Sequence, residues 1–511
     1  MSRRERGAIA AVTAGILAVM VLWALLVPVF GAPDEHAHVN SAVRLTQEIA
    51  WPDPGDAAMY GMVAAAREEA ALPAADRSTF AELDERVPGW GGVDQMTQHP
   101  PLYYAFGAAV LQSIGFMELR ADIAVTALRL AGLIFALPLP LLLWNSVRRL
   151  TRSPKAAVLA AASILAVPQL AHIFAAVSND GLTVLLCSVV IWLAIRAMTG
   201  DHRWRTVLGM GAALGLALLV KGTALPFVPF VAAVLLIWPR HSPFLARLLR
   251  AGASLLLAFA IGGWWWVRNV LRFGDIQPSG LANVRDTVPW EPGTEPNPIG
   301  FLDRLWSRAS VSFWGNFGWL EFPLPQMLTD ILTVAALLVV AFYAYRRGAT
   351  RLPAIVLTAL PVVLLLMLFL NTWRHYLRTQ QFTGMQGRYF FVALVALVAV
   401  SAIAWRRFVA AEHRVRVGLA LLGVFAGLAA FGLFRAYCGL YENDIYRITL
   451  EGMREWAALV AGGWLSIIAG SLLAAAAGVF AVLVAWRFIG SPPQPTDTAA
   501  EDLPALAAPT A

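Results

Sequence analysis

The chain has 511 residues, of which 59% are hydrophobic and only 14% charged, and its mean hydropathy is +0.65. A soluble core of this size does not need that much apolar surface, and repeated apolar runs of about 17 residues or more mark a polytopic helical membrane protein. The net charge of +7 does not point to nucleic acid, because the arginines fall in short clusters between apolar runs rather than in a binding stripe. The two cysteines, Cys187 and Cys438, lie far apart in sequence and make neither a disulfide framework nor a Cys-type metal motif.

Arg3, Arg4 and Arg6 precede an apolar run over about 8–30. It is too long for the apolar core of a cleaved signal and reads as a first span with the N-terminus inside. Directly after it comes Pro33-Asp34-Glu35-His36-Ala37-His38. Two adjacent carboxylates at the mouth of a membrane span point to a substrate or ion site, since charge there is costly without a use. A partly buried carboxylate can also take a proton from a hydroxyl. A divalent ion on His36, His38 and an acid is a second reading of the same residues, on the weak ground of His-x-His spacing.

The loop over 31–120 holds an acidic, helix-like stretch near 64–87 and closes with His99-Pro100-Pro101-Leu102-Tyr103-Tyr104. The apolar segment 102–116 resembles a span, but a crossing there would carry Arg148 and Arg149 to the wrong side. It is therefore expected to stay at the interface or re-enter. Further spans are expected at about 122–147, 156–175, 181–199, 206–220, 223–238, 251–270, 327–345, 353–370, 389–405, 417–435 and 464–487. With the first, these make an all-α bundle of about twelve transmembrane helices. Basic clusters at 148–155, 196–205, 240–250, 346–351 and 406–416 assign the intervening ends and both termini to the cytoplasm. The expected organisation is one transmembrane domain over 1–490, with external loops 31–120 and 271–326, and a disordered tail over 491–511. No repeat relates the two halves, which weighs against the common transporter architectures.

Polar clusters mark the outer side. Asn179-Asp180-Gly181 is ordinary turn chemistry. Lys221-Gly222-Thr223 places one of only two lysines between two spans, where it either snorkels or neutralises a phosphate, with Gly222 allowing close approach. Gly263 to Asn269 combines three tryptophans, which suit an interfacial belt, with Arg268 and Asn269, which suit a lipid phosphate. The aromatic stretch Ser312 to Trp319 fits either a sugar face or lipid. Arg374, Arg378 and Arg388 gather against the topology bias, as a solvated loop or an anion site, with Arg388 nearest the membrane.

These motifs together resemble the GT-C superfamily of membrane glycosyltransferases. Within it the chain is similar to the bacterial branch of protein O-mannosyltransferases and aminoarabinose transferases, and more so to domain-of-unknown-function family 2142. The resemblance rests on Pro33-Asp34-Glu35 with His38, His99 to Tyr104, Lys221-Gly222, Trp265 with Arg268-Asn269 and Gly274-Asp275, and Gln386 to Tyr389. It implies a GT-C-like bundle with juxtamembrane helices in its first external loop, and Asp34 as general base with Glu35 as neighbour or alternate. The chain departs from characterised relatives in having only a short polar tail after its last span.

The expected activity is inverting transfer of a sugar from a polyprenyl-phosphate donor to a glycan, lipid or protein acceptor at the outer face of the cytoplasmic membrane. Asp34 and Glu35 would be catalytic. His38, His99, Tyr103, Lys221, Arg268, Asn269, Arg374, Arg378 and Arg388 would bind substrate, with membrane lipids around the bundle and no nucleic acid. A lipid-linked saccharide transporter and an envelope-polymer ligase or polymerase are the rival readings. The Ala- and Arg-rich, Lys-poor composition points to a bacterium.

Overall fold

A computed structural model describes residues 1–48, 50–280, 288, 290–382 and 384–492. The expected tail therefore lies, beyond residue 492, outside the described residues. Among the described residues, nine helices are long and apolar enough to cross a membrane, from Arg3–Leu26 to Gly463–Gly490. Pro154–Ala166 and Pro168–Phe174 make a further path, bent by 72°. The bend follows from Pro168, which disfavours helical backbone at Val167 before it and starts a new helix. Two shorter apolar helices, Trp204–Leu218 and Gly222–Ile237, follow in the chain. The spans expected from hydropathy fall on these segments.

The first and last spans pack side by side. A Cβ on Gly15 would lie 2.5 Å from the Ala481 Cβ, the close approach that small residues permit where lipid supplies no hydrophobic drive between helices. Glu5 pairs with Arg148 at 3.4 Å, and Lys155 donates to the Ser491 carbonyl. The N-terminus, the 148–155 basic cluster and the end of the last span thus share one end of the bundle.

The opposite end carries the irregular structure. Leu102–Ser113 has 12 residues, about 18 Å at the helical rise, too short to cross a core of about 30 Å. It packs on the Glu35–Gln47 helix, with Gly107 against Ala42. The acidic motif, expected in a loop, begins that helix. The acidic stretch near 64–87 forms two helices, Gly61–Glu69 and Phe80–Arg86, the second started by a Thr79/Glu82 capping box. A short antiparallel pair, Ala58–Tyr60 with Trp90–Val93, ties the region together. An apolar core that includes Val39, Val43, Phe80, Leu83, Tyr104 and Leu111 seats it on the bundle.

Two other expected loops are partly helical. Within 271–326 lies Pro298–Trp314, with Pro298 in its first turn and Asn297 Oδ1 accepting the Gly300 N–H at 2.9 Å. The Arg351–Thr379 helix holds His375 and runs through Arg374 and Arg378, which were expected in a loop or an anion site.

Candidate active site

The first span ends in a sharp turn, and Asp34 stands at the N-cap of the next helix with φ 60° and ψ 8°. An N-cap aspartate ordinarily accepts the N–H groups of the first helical turn through its side chain. Here the left-handed backbone, which Asp tolerates better than most residues, turns the carboxylate away, and it makes no cap bond. Oδ1 instead accepts from Gln95 Nε2 at 3.0 Å, and Oδ2 faces Arg388 Nη2 at 3.3 Å. The side chain is 34% exposed.

Glu35 is placed differently. It is fully buried, and Arg129 Nε and Nη2 donate to its two oxygens at 2.7 and 2.6 Å. The Val177 N–H donates to Oε1 at 2.9 Å. Arg129 also donates to the carbonyls of Ala24, Val27 and Pro28, groups left open where the first span ends. Glu35, expected as neighbour or alternate to Asp34, is thus engaged by three donors and shielded from solvent, whereas Asp34 is not. The role of Glu35 is to tie the first span, the Ala121–Thr151 span and the 177–180 turn into one unit.

That turn supplies what sequence reasoning passed over. Asp180 Oδ1 accepts from Lys221 Nζ at 2.5 Å, and its Oδ2 lies 3.8 Å from Arg388 Nε. Lys221 also donates to Asn179 Oδ1 at 3.1 Å. Asp34, Arg388, Asp180 and Lys221 therefore form one chain of alternating charge, drawn from four distant stretches of sequence. Gly387 brings Arg388 into it. A Cβ there would lie 2.3 Å from the Ala309 carbonyl oxygen, and the Gly387 N–H is fixed by Ser312 Oγ at 2.7 Å. Gly222, read as room for a phosphate, is filled by protein instead: Gln277 Oε1 would meet its Cβ at 2.3 Å and the Trp266 ring at 3.1 Å.

The aromatic and imidazole groups form the wall behind this chain. His38 Nδ1 lies 3.1 Å from the Tyr104 hydroxyl, and Trp51 stacks on the other side of Tyr104 with ring centres 5.1 Å apart. The histidine's partner is thus Tyr104, and the Tyr103 ring meets His38 edge-on with centres 6.2 Å apart. His99 is buried beside them, its carbonyl accepting from Trp51 Nε1. His36 and His38 diverge, because residues two apart on a helix do not face each other: His36 stacks on Trp319 at 5.4 Å. Among the described residues no group of three or more His, Cys, Asp or Glu side chains could hold a metal ion. The His36/His38 metal reading is corrected accordingly.

Burial, with Arg67 close by, pulls His36 down to about 4, and burial with Lys221 nearby pulls His38 down to about 3. Burial also holds His99 well below the ordinary value of 6.5. The unfolded chain therefore binds more protons than the folded one once pH falls below about 6.5. Stability is full above that pH and falls as the solution is acidified towards 4. The thermal midpoint in detergent should drop steadily from pH 7 to 5, and less steeply for His38→Gln. A flat profile over that range would contradict these assignments.

Four of the expected binding residues are not members of that chain of charges. Arg268 donates to Asp53 Oδ1 at 2.8 Å and lies over the Trp265 ring, and Arg272 takes the other Asp53 oxygen. Asn269 donates to the Ile276 carbonyl at 3.1 Å. Both residues of the pair thus hold loop segments in place. Arg374 and Arg378 are exposed on the last turns of their helix, whose Tyr376 shares an apolar cluster with Tyr389, the residue after Arg388.

A family model described as "Predicted membrane protein (DUF2142)" matches residues 17–398. The chain belongs to the DUF2142 family. Among solved structures, ArnT from Cupriavidus metallidurans bound to undecaprenyl phosphate is 14% identical. It matches with a TM-score of 0.50 over 95% of this chain and 76% of ArnT. The apo state of the same protein matches at 13% identity and 0.50, over 94% and 74%. The Archaeoglobus fulgidus oligosaccharyltransferase in complex with zinc and sulfate is 13% identical, with a TM-score of 0.42 over 84% of this chain and 55% of its own. No curated protein matches. At such identities the ArnT likeness shows the fold: this DUF2142 chain is a multi-pass membrane protein with a GT-C-like bundle.

Proposed function

We propose that this DUF2142 protein is an inverting glycosyltransferase that moves a sugar from a polyprenyl-phosphate donor to an acceptor hydroxyl. The reaction would take place at the outer face of a bacterial cytoplasmic membrane. The observation that carries the reading is the Asp34–Arg388–Asp180–Lys221 chain, with Asp34 the member reached by solvent. A carboxylate beside two fixed cations is what the reaction needs at one point. Asp34 takes the proton of the acceptor hydroxyl, and the hydroxyl oxygen attacks the anomeric carbon. The bond from that carbon to the phosphate oxygen breaks, and its electron pair leaves with the lipid phosphate. Attack opposite the leaving group inverts the anomeric centre. Arg388 and Lys221 stabilise the charge gathered on the phosphate.

The contacts suggest an order. Arg388 is held to Asp34 at 3.3 Å and to Asp180 at 3.8 Å, both longer than a tight charge-assisted bond, whereas Lys221 and Asp180 are 2.5 Å apart. A donor phosphate would draw Arg388 away and free Asp34 Oδ2 for the acceptor. His38, His99, Tyr103 and Tyr104 shape the wall, and Arg268 and Asn269 act through the loops they fix. A transporter would need polar groups along a path through the bundle, whereas these charges gather at one end.

The test is transfer from a panel of radiolabelled polyprenyl-phosphate sugars to cell-envelope acceptors in proteoliposomes. Wild type should transfer from at least one donor, and Arg388→Lys and Lys221→Met should each lower kcat/KM for the donor by roughly 10- to 100-fold. Unchanged kinetics in both variants would remove the phosphate site. Dependence on Arg374, Arg378 and His375 without dependence on Asp34 would favour a ligase instead.

A further inference from the structure

Gln95 lies across Asp34 from Arg388. Its amide nitrogen donates to Oδ1 at 3.0 Å, the oxygen that Arg388 does not face. The nitrogen end must point there, since the amide oxygen would set two acceptors against each other.

The Gln95–Gln98 turn is pinned from two sides. On one side Asp94 is fully buried and accepts from Asn40 Nδ2 at 2.8 Å, Ser41 Oγ at 3.0 Å and the Met96 N–H at 3.0 Å, with Arg44 Nε at 3.7 Å. Asn40, Ser41 and Arg44 belong to the helix that Asp34 begins. Asp94 thus fastens the turn to the same rigid element as the carboxylate. On the other side Gly280 presses on the Gln95 backbone. A Cβ at Gly280 would lie 2.7 Å from the Gln95 carbonyl oxygen and 2.9 Å from its Cα. The Gly280 N–H also reaches Gln98 Oε1 at 3.5 Å.

We infer that Gln95 is the positioning residue of Asp34. Its amide holds Oδ1, so that Oδ2 is the oxygen presented to Arg388 and then to the acceptor hydroxyl. Asp94 and Gly280 in turn hold Gln95. The inference rests on the proposed transfer for its purpose, but its geometry can be tested without it. An amide that only filled space would be replaced by leucine at no cost to the carboxylate. An amide that donates to the ionised oxygen favours the charged form.

The other groups around Asp34 stay the same in each variant. They are Arg388 with Asp180 and Lys221 behind it, Glu35 and His36 from its own helix, and His99 and Tyr104 from the 99–104 stretch.

The experiment is the rate of carbodiimide labelling of Asp34 at one fixed pH, read by peptide mass spectrometry on the purified full chain. Wild type, Gln95→Leu, Gln95→Glu and Gly280→Ala are compared, and low labelling of the buried Glu35 reports an intact fold. The rate should rise about tenfold in Gln95→Leu, where Oδ1 loses its donor, and further in Gln95→Glu, where a like charge replaces the donor. Gly280→Ala should raise it too without altering the Gln95 side chain, so a poorly folded Gln95→Leu does not leave the question open. An unchanged rate in folded Gln95→Leu, or in Gly280→Ala alone if the leucine variant does not fold, overturns the positioning role. In the transfer assay Gln95→Leu should lower kcat about tenfold at an unchanged donor KM. Absence of transfer by wild type alongside a raised labelling rate would sink the glycosyltransferase reading and leave the positioning role standing.

Discussion

Asp34→Asn is expected to lower transfer by roughly 10²- to 10⁴-fold, the range lost with a general base, in a protein that still folds. The amide matches the carboxylate in size and cannot take the acceptor proton. Asparagine also tolerates the left-handed backbone that position 34 adopts, so the turn into the Glu35–Gln47 helix survives. The variant should bind donor at least as well as wild type, because Arg388 no longer has the Asp34 carboxylate to leave. The loss should thus fall on kcat, with donor KM unchanged or lower. Normal turnover in folded Asp34→Asn would remove Asp34 from the chemistry, and a loss confined to KM would make it a binding residue.

Arg129→Leu should cost stability rather than chemistry alone. It strands the buried Glu35 carboxylate and opens the carbonyls of Ala24, Val27 and Pro28. Breaking one partner of a buried ion pair costs about 3–5 kcal/mol. A marked fall in the detergent unfolding midpoint is expected, with partial recovery in the Glu35→Gln/Arg129→Leu double variant, where no isolated charge remains. A single variant as stable as wild type would contradict the structural role given to Glu35.

The bundle was legible because hydropathy and charge bias act locally: each span announces itself within about twenty residues. The same logic set 102–116 apart from the spans, and its helix, Leu102–Ser113, has only 12 residues. The site was legible in its members more than in its pairings. Asp34, Lys221 and Arg388 stood out as charges at span ends, but nothing local says that Arg388 meets a carboxylate 354 residues away. Asp180 was hidden by Asn179 and Gly181, which give the stretch the look of a turn. Arg129 carried a signal that could have been used, since a lone arginine inside an apolar span calls for a buried partner. Arg374 and Arg378 lie on a helix that continues through the stretch read as a loop, because its apolar period runs on past the span.

The reading turns on a single displacement at the anomeric carbon with Asp34 as base. The most direct measurement is the anomeric configuration of the product, by NMR, after transfer from a donor of known configuration. Inversion, with no product from Asp34→Asn, is the expected result. Retention would require a covalent intermediate or a second displacement and would contradict the role given to Asp34.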